Sequence, residues 1–297
     1  MVPLAPAFLA GLAIQRVTPA AKIRDASWTF FFWGISPALV LVTFLHVKVS
    51  RGLVFALAAA ALASWAVALA GFVYAKLVTR ERDEQGALML TAGWPNTGFL
   101  GYPVAQLAFG PAALSLAVLY DRLAWLVPAS AVSATVARVF GRRSRPAGRR
   151  GLAPLLANPP LLALVAAVAM RSLGLDLPEA STVHNVTAAL VGPAGFLLLG
   201  LSIPLRSERP PASELRHAIG ALTIRFVGGP LALLASGAAL GASIPPVFYL
   251  LAAMPPAFHL LVLARVYDVR PVLTRMTVIW GTLVAAPLLT LAFALGH

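Results

Sequence analysis

The chain contains no cysteine. Disulfides, thiolate metal centres and cysteine nucleophiles are therefore excluded, and thiol chemistry says nothing about the compartment. Charge is also scarce. Only 11% of the 297 residues are charged, and just 10 of these are acidic. No His-Glu-x-x-His, Gly-x-Ser-x-Gly or P-loop pattern occurs, which removes the usual signatures of zinc hydrolases, serine hydrolases and nucleotide-driven machines. His46, His184, His217, His259 and His297 are scattered without metal-ligand spacing. An enzyme is not expected, and neither is a resident metal or organic cofactor.

What the chain does have is apolar surface. Hydrophobic residues make up 60% and the mean hydropathy is +0.86, beyond what a soluble core requires. The class this implies is an all-α polytopic membrane protein embedded in a lipid bilayer. The net charge of +13 could suggest nucleic acid, but the basic residues lie between apolar segments and not along one face. Basic loops on one side of a membrane explain the charge, and no nucleic-acid partner is expected.

Apolar runs long enough to approach a span of about 20 residues fall at 1–15, 27–46, 52–77, 86–109, 111–138, 153–173, 186–205, 217–241, 246–266 and 271–296. The first is short and lacks a basic leader, so it reads as a first membrane helix, trimmed or only partly crossing, and not as a cleaved signal. With the N-terminus outside, Lys48, Arg51 and Arg171 fall on outer connections and Arg122 and Arg225 fall within helices. The remaining eighteen of the 23 basic residues fall on inner ones. This bias places both termini outside a cell (inner) membrane and the basic linker 141–152 in the cytoplasm. The arginines at 142–150 serve as the topology signal, with anionic lipid a secondary ligand.

That linker separates five segments (1–140) from five (153–297). An odd number per half inverts one repeat against the other, a recurrent plan of carriers with their site near mid-membrane. The halves carry matching interruptions: Gly34-Ile35-Ser36-Pro37 and Val191-Gly192-Pro193 in the second and seventh segments, Trp94-Pro95-Asn96 and Met254-Pro255-Pro256 in the fourth and ninth. Proline deletes a helix hydrogen bond, and in lipid the freed backbone groups must meet protein, water or ligand. Two such breaks meeting would direct half-helix ends at one spot, suited to an anion at N-terminal ends and a cation or proton donor at C-terminal ends. Pro95, Asn96, Thr97, Gly98, Pro255, Pro256 and His259 are the candidate substrate-binding residues. Asn96 and Thr97 supply adaptable donors and acceptors, and His259 supplies a titratable ring one turn past Pro255.

Asp121 and Arg225 are candidates for coupling or support. Asp121 has two open readings: a proton-coupling carboxylate, or half of a structural ion pair with Arg122 or Arg225. Neighbours on an α-helix point about 100° apart, which disfavours pairing between Asp121 and Arg122. Arg225 reads either as an anion attractor or as an interface anchor. Trp28, Trp33, Trp65, Trp125 and Trp280 read as interface or packing aromatics.

The run Asn96-Thr97-Gly98-Phe99-Leu100-Gly101-Tyr102-Pro103 with Phe109-Gly110 resembles the helix-4 motif of the auxin efflux carrier family, bacterial branch, similar to PIN-type auxin exporters. Asn158-Pro159-Pro160, Val191-Gly192-Pro193 to Leu199-Gly200, and Met254-Pro255-Pro256 before Tyr267 follow in the family's order. The resemblance implies ten helices in a 5+5 inverted repeat, with broken helices 4 and 9 crossing at Pro95 and Pro255. It implies a scaffold of helices 1, 2, 6 and 7, a transport group of helices 3–5 and 8–10, and a homodimer formed through the scaffold. The implied activity is elevator-type secondary transport of small organic anions, with Asn96 and Thr97 on the substrate and Trp94 shaping its size. The short linker departs from the long regulatory loop of plant exporters. A sodium- or proton-coupled symporter or antiporter stays open as an alternative, as does a membrane enzyme or receptor.

Overall fold

A computed structural model describes residues 4–16, 20–143, 158–203 and 211–295. Most of the basic linker, including Arg145, Arg149 and Arg150, lies outside the described residues, as do Arg206 and Arg209. The described residues form helices only: α1 (Leu4–Ile14), α2 (Ala20–Phe30), α3 (Ser36–His46), α4 (Arg51–Val78), α5 (Arg82–Gly93), α6 (Tyr102–Phe109), α7 (Pro111–Leu119), α8 (Leu126–Phe140), α9 (Pro159–Ser172), α10 (Ala180–Ser202), α11 (Ala212–Thr223), α12 (Gly229–Ala239), α13 (Pro246–Ala252), α14 (His259–Tyr267) and α15 (Pro271–Leu295). Wider π-helical turns occupy Phe31–Ile35, Thr97–Gly101, Tyr120–Trp125 and Ile224–Gly228.

Four helical stretches are long and apolar enough to cross a membrane: Lys22–His46, Arg51–Val78, Ala180–Ser202 and Ala212–Ala239. Three of these begin before the apolar runs at 27, 186 and 217. Their first turns are rich in Ala, Lys, Arg, Ser and Glu. Hydropathy reads such residues as loop, although several of them are good helix formers. The interruptions at Gly34-Ile35-Ser36-Pro37 and Gly192-Pro193 do not break their helices. The first is absorbed by a π turn running into α3, and Pro193 sits inside a continuous α10.

The chain gathers into two compact units. The first comprises Met1–Ser50, Gly98–Arg122 and Gly148–Arg206. Here α1 lies on α10 with backbones almost touching: a Cβ on Gly11 would strike the Leu197 carbonyl, and one on Gly200 would strike the Phe8 carbonyl. Small residues permit this approach where no water drives helices together. The Gln15 amide donates to the Gly200 and Ile203 carbonyls, each at 2.5 Å, filling acceptors that the end of α10 leaves open. Asn158 caps α9 by accepting from the Leu161 N–H at 3.2 Å, with prolines in the first turn. The Phe99 ring lies 4.6 Å from Trp28 and 4.5 Å from Phe31.

The second unit comprises Arg51–Thr97, Leu123–Ala147 and Ser207–His297. Its centre is α5, buried at every residue from Asp83 to Gly93 and packed by α4, α8, α11 and α15. A helix enclosed on all sides must have its polar first turn paired. Asp83 meets Arg142 at 2.8 Å and Arg270 at 3.0 Å. Glu84 meets His217 at 2.6 Å and accepts from Thr79 at 2.8 Å, and Gln85 accepts from Lys76 at 2.9 Å. Outward, α4 exposes Leu62, Trp65, Leu69, Val73 and Leu77, and α12 exposes Leu231 and Leu234. Such apolar faces suit hydrocarbon.

Candidate functional site: two interrupted helices and a buried guanidinium

Helix α5 stops at Gly93, because Trp94 turns extended (φ −109°, ψ 103°) ahead of Pro95. Helix α13 stops at Ala252, and helix resumes only at His259. The two interruptions pair antiparallel through a single isolated bridge, with Pro95 opposite Pro256. The Asn96 N–H donates to the Pro255 carbonyl at 2.7 Å and the Ala257 N–H donates to the Trp94 carbonyl at 2.9 Å. Both prolines occupy positions of the pair that use no N–H, so their missing donor costs the pairing nothing. The breaks thus satisfy part of each other's backbone, as an apolar surround demands.

Three carbonyls at the ends of the interrupted helices meet Arg225, which projects from the π turn Ile224–Gly228 and is 1% exposed. Its guanidinium donates to Gly93 at 3.1 Å and Ala92 at 3.4 Å, at the end of α5. It also donates to Ala252 at 2.6 Å, at the end of α13. Arg225 is therefore not the interface anchor that one sequence reading allowed. The intramembrane cation is placed inward because backbone acceptors there compensate its burial. Gly229 makes the approach possible: a Cβ there would strike both the Ala252 carbonyl and Nη2 of Arg225. Gly281 of α15 does the same for the second break, since a Cβ there would lie 2.7 Å from Cδ of Pro256 and 3.4 Å from Cβ of Pro255.

Trp125 lies with its ring 5.8 Å from the Arg225 guanidinium, within cation–π range, and 6.4 Å from the ring of Trp94. Each indole is 3% exposed, and neither indole N–H has a hydrogen-bond partner among the described residues. Asn96 and Thr97 are buried at 2% and 3%, Pro255 and Pro256 are buried, and His259 is half-buried at the start of α14. These residues all belong to the second unit. Gly98 belongs to the first, where a Cβ added to it would meet nothing within 4 Å.

Asp121 also sits in the first unit. It accepts from the Tyr102 hydroxyl at 2.6 Å and pairs with its neighbour Arg122 at 2.9 Å. The spacing argument against that pairing fails because an arginine side chain is long enough to reach its neighbour, as Arg24 also reaches Asp25 at 3.3 Å within α2. Arg122 also donates to Ser36 and to the Tyr102 oxygen, both at 3.3 Å. Among the described residues no group of three or more acidic or histidine side chains could hold a metal.

The Trp125–Arg225–Trp94 group was not read as a unit from sequence. The signal was present in Arg225 followed by Gly228-Gly229, an intramembrane cation beside residues that make room for it. Interrupted helices that pair within the fold are a feature found among membrane transporters. Residues 150–293 match the model of the membrane transport protein family. Over that stretch the chain is similar to this family, which is auxin efflux carrier-like, and the match indicates a membrane transporter. No curated protein matches the sequence.

Proposed function

We propose that the protein is a secondary carrier for small organic anions, carboxylates foremost, binding them beside the Pro95–Pro256 pairing. The observation that carries this reading is the permanent positive charge of Arg225, buried against the Gly93 carbonyl at the first interruption and 5.8 Å from the Trp125 ring, which itself lies 6.4 Å from Trp94. A carboxylate is acceptor-only and fits such a donor. The N-terminal helix ends beginning at Thr97 and His259 add partial positive charge to the same interruptions. Ten helices in two inverted repeats of five, with both termini outside and the basic linker cytoplasmic in a cell (inner) membrane, complete the reading. One bundle slides against the other in an elevator cycle, the scaffold of a homodimer stays fixed, and no bound cofactor is needed.

Counterflow of radiolabelled mono- and dicarboxylates in proteoliposomes tests this. Asn96→Ala removes a polar group from the proposed site and is expected to lower transport about tenfold, the rate equivalent of roughly 1.4 kcal/mol. Pro95→Ala restores an N–H that the pairing does not use and is expected to slow transport without loss of insertion. Unchanged transport of every carboxylate by both inserted variants would remove Asn96 and Pro95 from the site.

A further inference from the structure

We propose that Arg225 is a tethered counter-cation: it occupies the place at the joined helix C-termini where a carrier of this plan would otherwise bind a free coupling cation. The transport arm of this inference rests on the carrier reading above, whereas its stability arm does not. The C-terminal ends of α5 and α13 each carry about half a negative charge on carbonyls their own helices leave unused. Broken helices in carriers use such ends to coordinate sodium or protons. Here three of those carbonyls, on Ala92, Gly93 and Ala252, lie within 2.6–3.4 Å of one guanidinium.

Two further features fit a seat cut for this group. Gly229 leaves the space that Nη2 fills, and the Trp125 ring lies 5.8 Å from the charge. A guanidinium keeps its proton at any physiological pH and forks across several acceptors. Its charge therefore cannot leave during a transport cycle, and a sodium ion approaching the same carbonyls would meet like charge. The cation is a fixed part of the protein, so its cargo moves without sodium.

The experiment uses the full-length protein in proteoliposomes and in detergent, with wild type, Arg225→Ala, Arg225→Gln and Arg225→Lys. Counterflow and melting temperature are measured in choline chloride, in sodium chloride and in millimolar guanidinium chloride. Wild type is expected to transport and melt equally in all three. Arg225→Ala is expected to lose transport and melt lower in choline, and to regain both with guanidinium or sodium filling the vacated seat. Arg225→Lys keeps the charge and is expected to retain more transport than Arg225→Gln, which keeps hydrogen bonding without charge. The lysine–glutamine comparison decides the matter if Arg225→Ala does not fold.

A sodium requirement in wild type overturns the inference. So does an Arg225→Ala protein that folds but gains nothing from any added cation, or equal behaviour of the lysine and glutamine variants. If wild type carries no carboxylate at all, the carrier reading fails, while the melting comparison still decides the counter-cation.

Discussion

Gly281 offers a direct test of how tightly the second helix break is held. A Cβ at this position would stand 2.7 Å from Cδ of Pro256, 2.9 Å from Cδ2 of Leu222 and 3.4 Å from Cβ of Pro255. The leucine tip can rotate away. The proline carbon cannot, since it is ring-bonded to a backbone nitrogen in the pairing with Pro95. Overpacking of this kind costs typically about 1–3 kcal/mol. Replacing glycine by alanine inside a helix returns about 1 kcal/mol. Gly281→Ala should therefore destabilise by about 0–2 kcal/mol, toward the upper end because the nearest atom is rigid. Gly228 is the matched control: its backbone is helical (φ −62°) and an added Cβ meets only Cγ2 of Ile224 at 3.7 Å. Gly228→Ala should stabilise by up to about 1 kcal/mol. Scanning fluorimetry in detergent, at one fixed heating rate because membrane carriers often melt irreversibly, reads the two shifts. Opposite signs are expected. If Gly281→Ala melts at or above wild type alongside Gly228→Ala, α15 does not hold the break and the packing argument is wrong.

Three further outcomes follow from the geometry. Gln15→Ala deletes two hydrogen bonds to the end of α10 and should cost about 1–3 kcal/mol in thermal or denaturant unfolding. Asp121→Asn strands the half-buried Arg122 charge beside buried Tyr102 and Ser36 and should cost about 3 kcal/mol, with the double variant Asp121→Asn, Arg122→Gln recovering part of it in a double-mutant cycle. Trp125→Phe keeps the ring against Arg225 but removes a buried N–H that no described residue accepts. Its melting temperature should hold or rise, while the half-saturating carboxylate concentration in counterflow should increase.

How much of this was legible depends on whether a signal was local. The breaks at Pro95 and Pro255 could be read because a proline removes its own N–H wherever the chain goes. The seat of Arg225 could not, since its acceptors on Ala92 and Gly93 lie 132–133 positions away along the chain. Only the folded second unit brings them together. The wide turns at Phe31–Ile35 and Tyr120–Trp125 were invisible for a different reason. Hydropathy periodicity assumes one helical pitch, and a change of pitch alters which neighbours share a face without altering composition. Asp121 and Arg122 meet against expectation for another reason, the reach of the arginine side chain. The buried acids of α5 were hidden by the same long-range problem: Asp83 and Glu84 look like a solvated helix start until Arg142, Arg270 and His217 arrive from distant segments.

The paired N–H···O=C bonds that stitch Asn96 to Pro255 and Ala257 to Trp94 have a bearing on motion. With Arg225 clasping both helix stubs as well, the knot has no loose end. Any hinge placed at the prolines would have to tear several backbone bonds in a dry setting at once. If the protein is the carrier proposed above, this favours a cycle that moves the knot whole and leaves the bending to segments elsewhere in the chain.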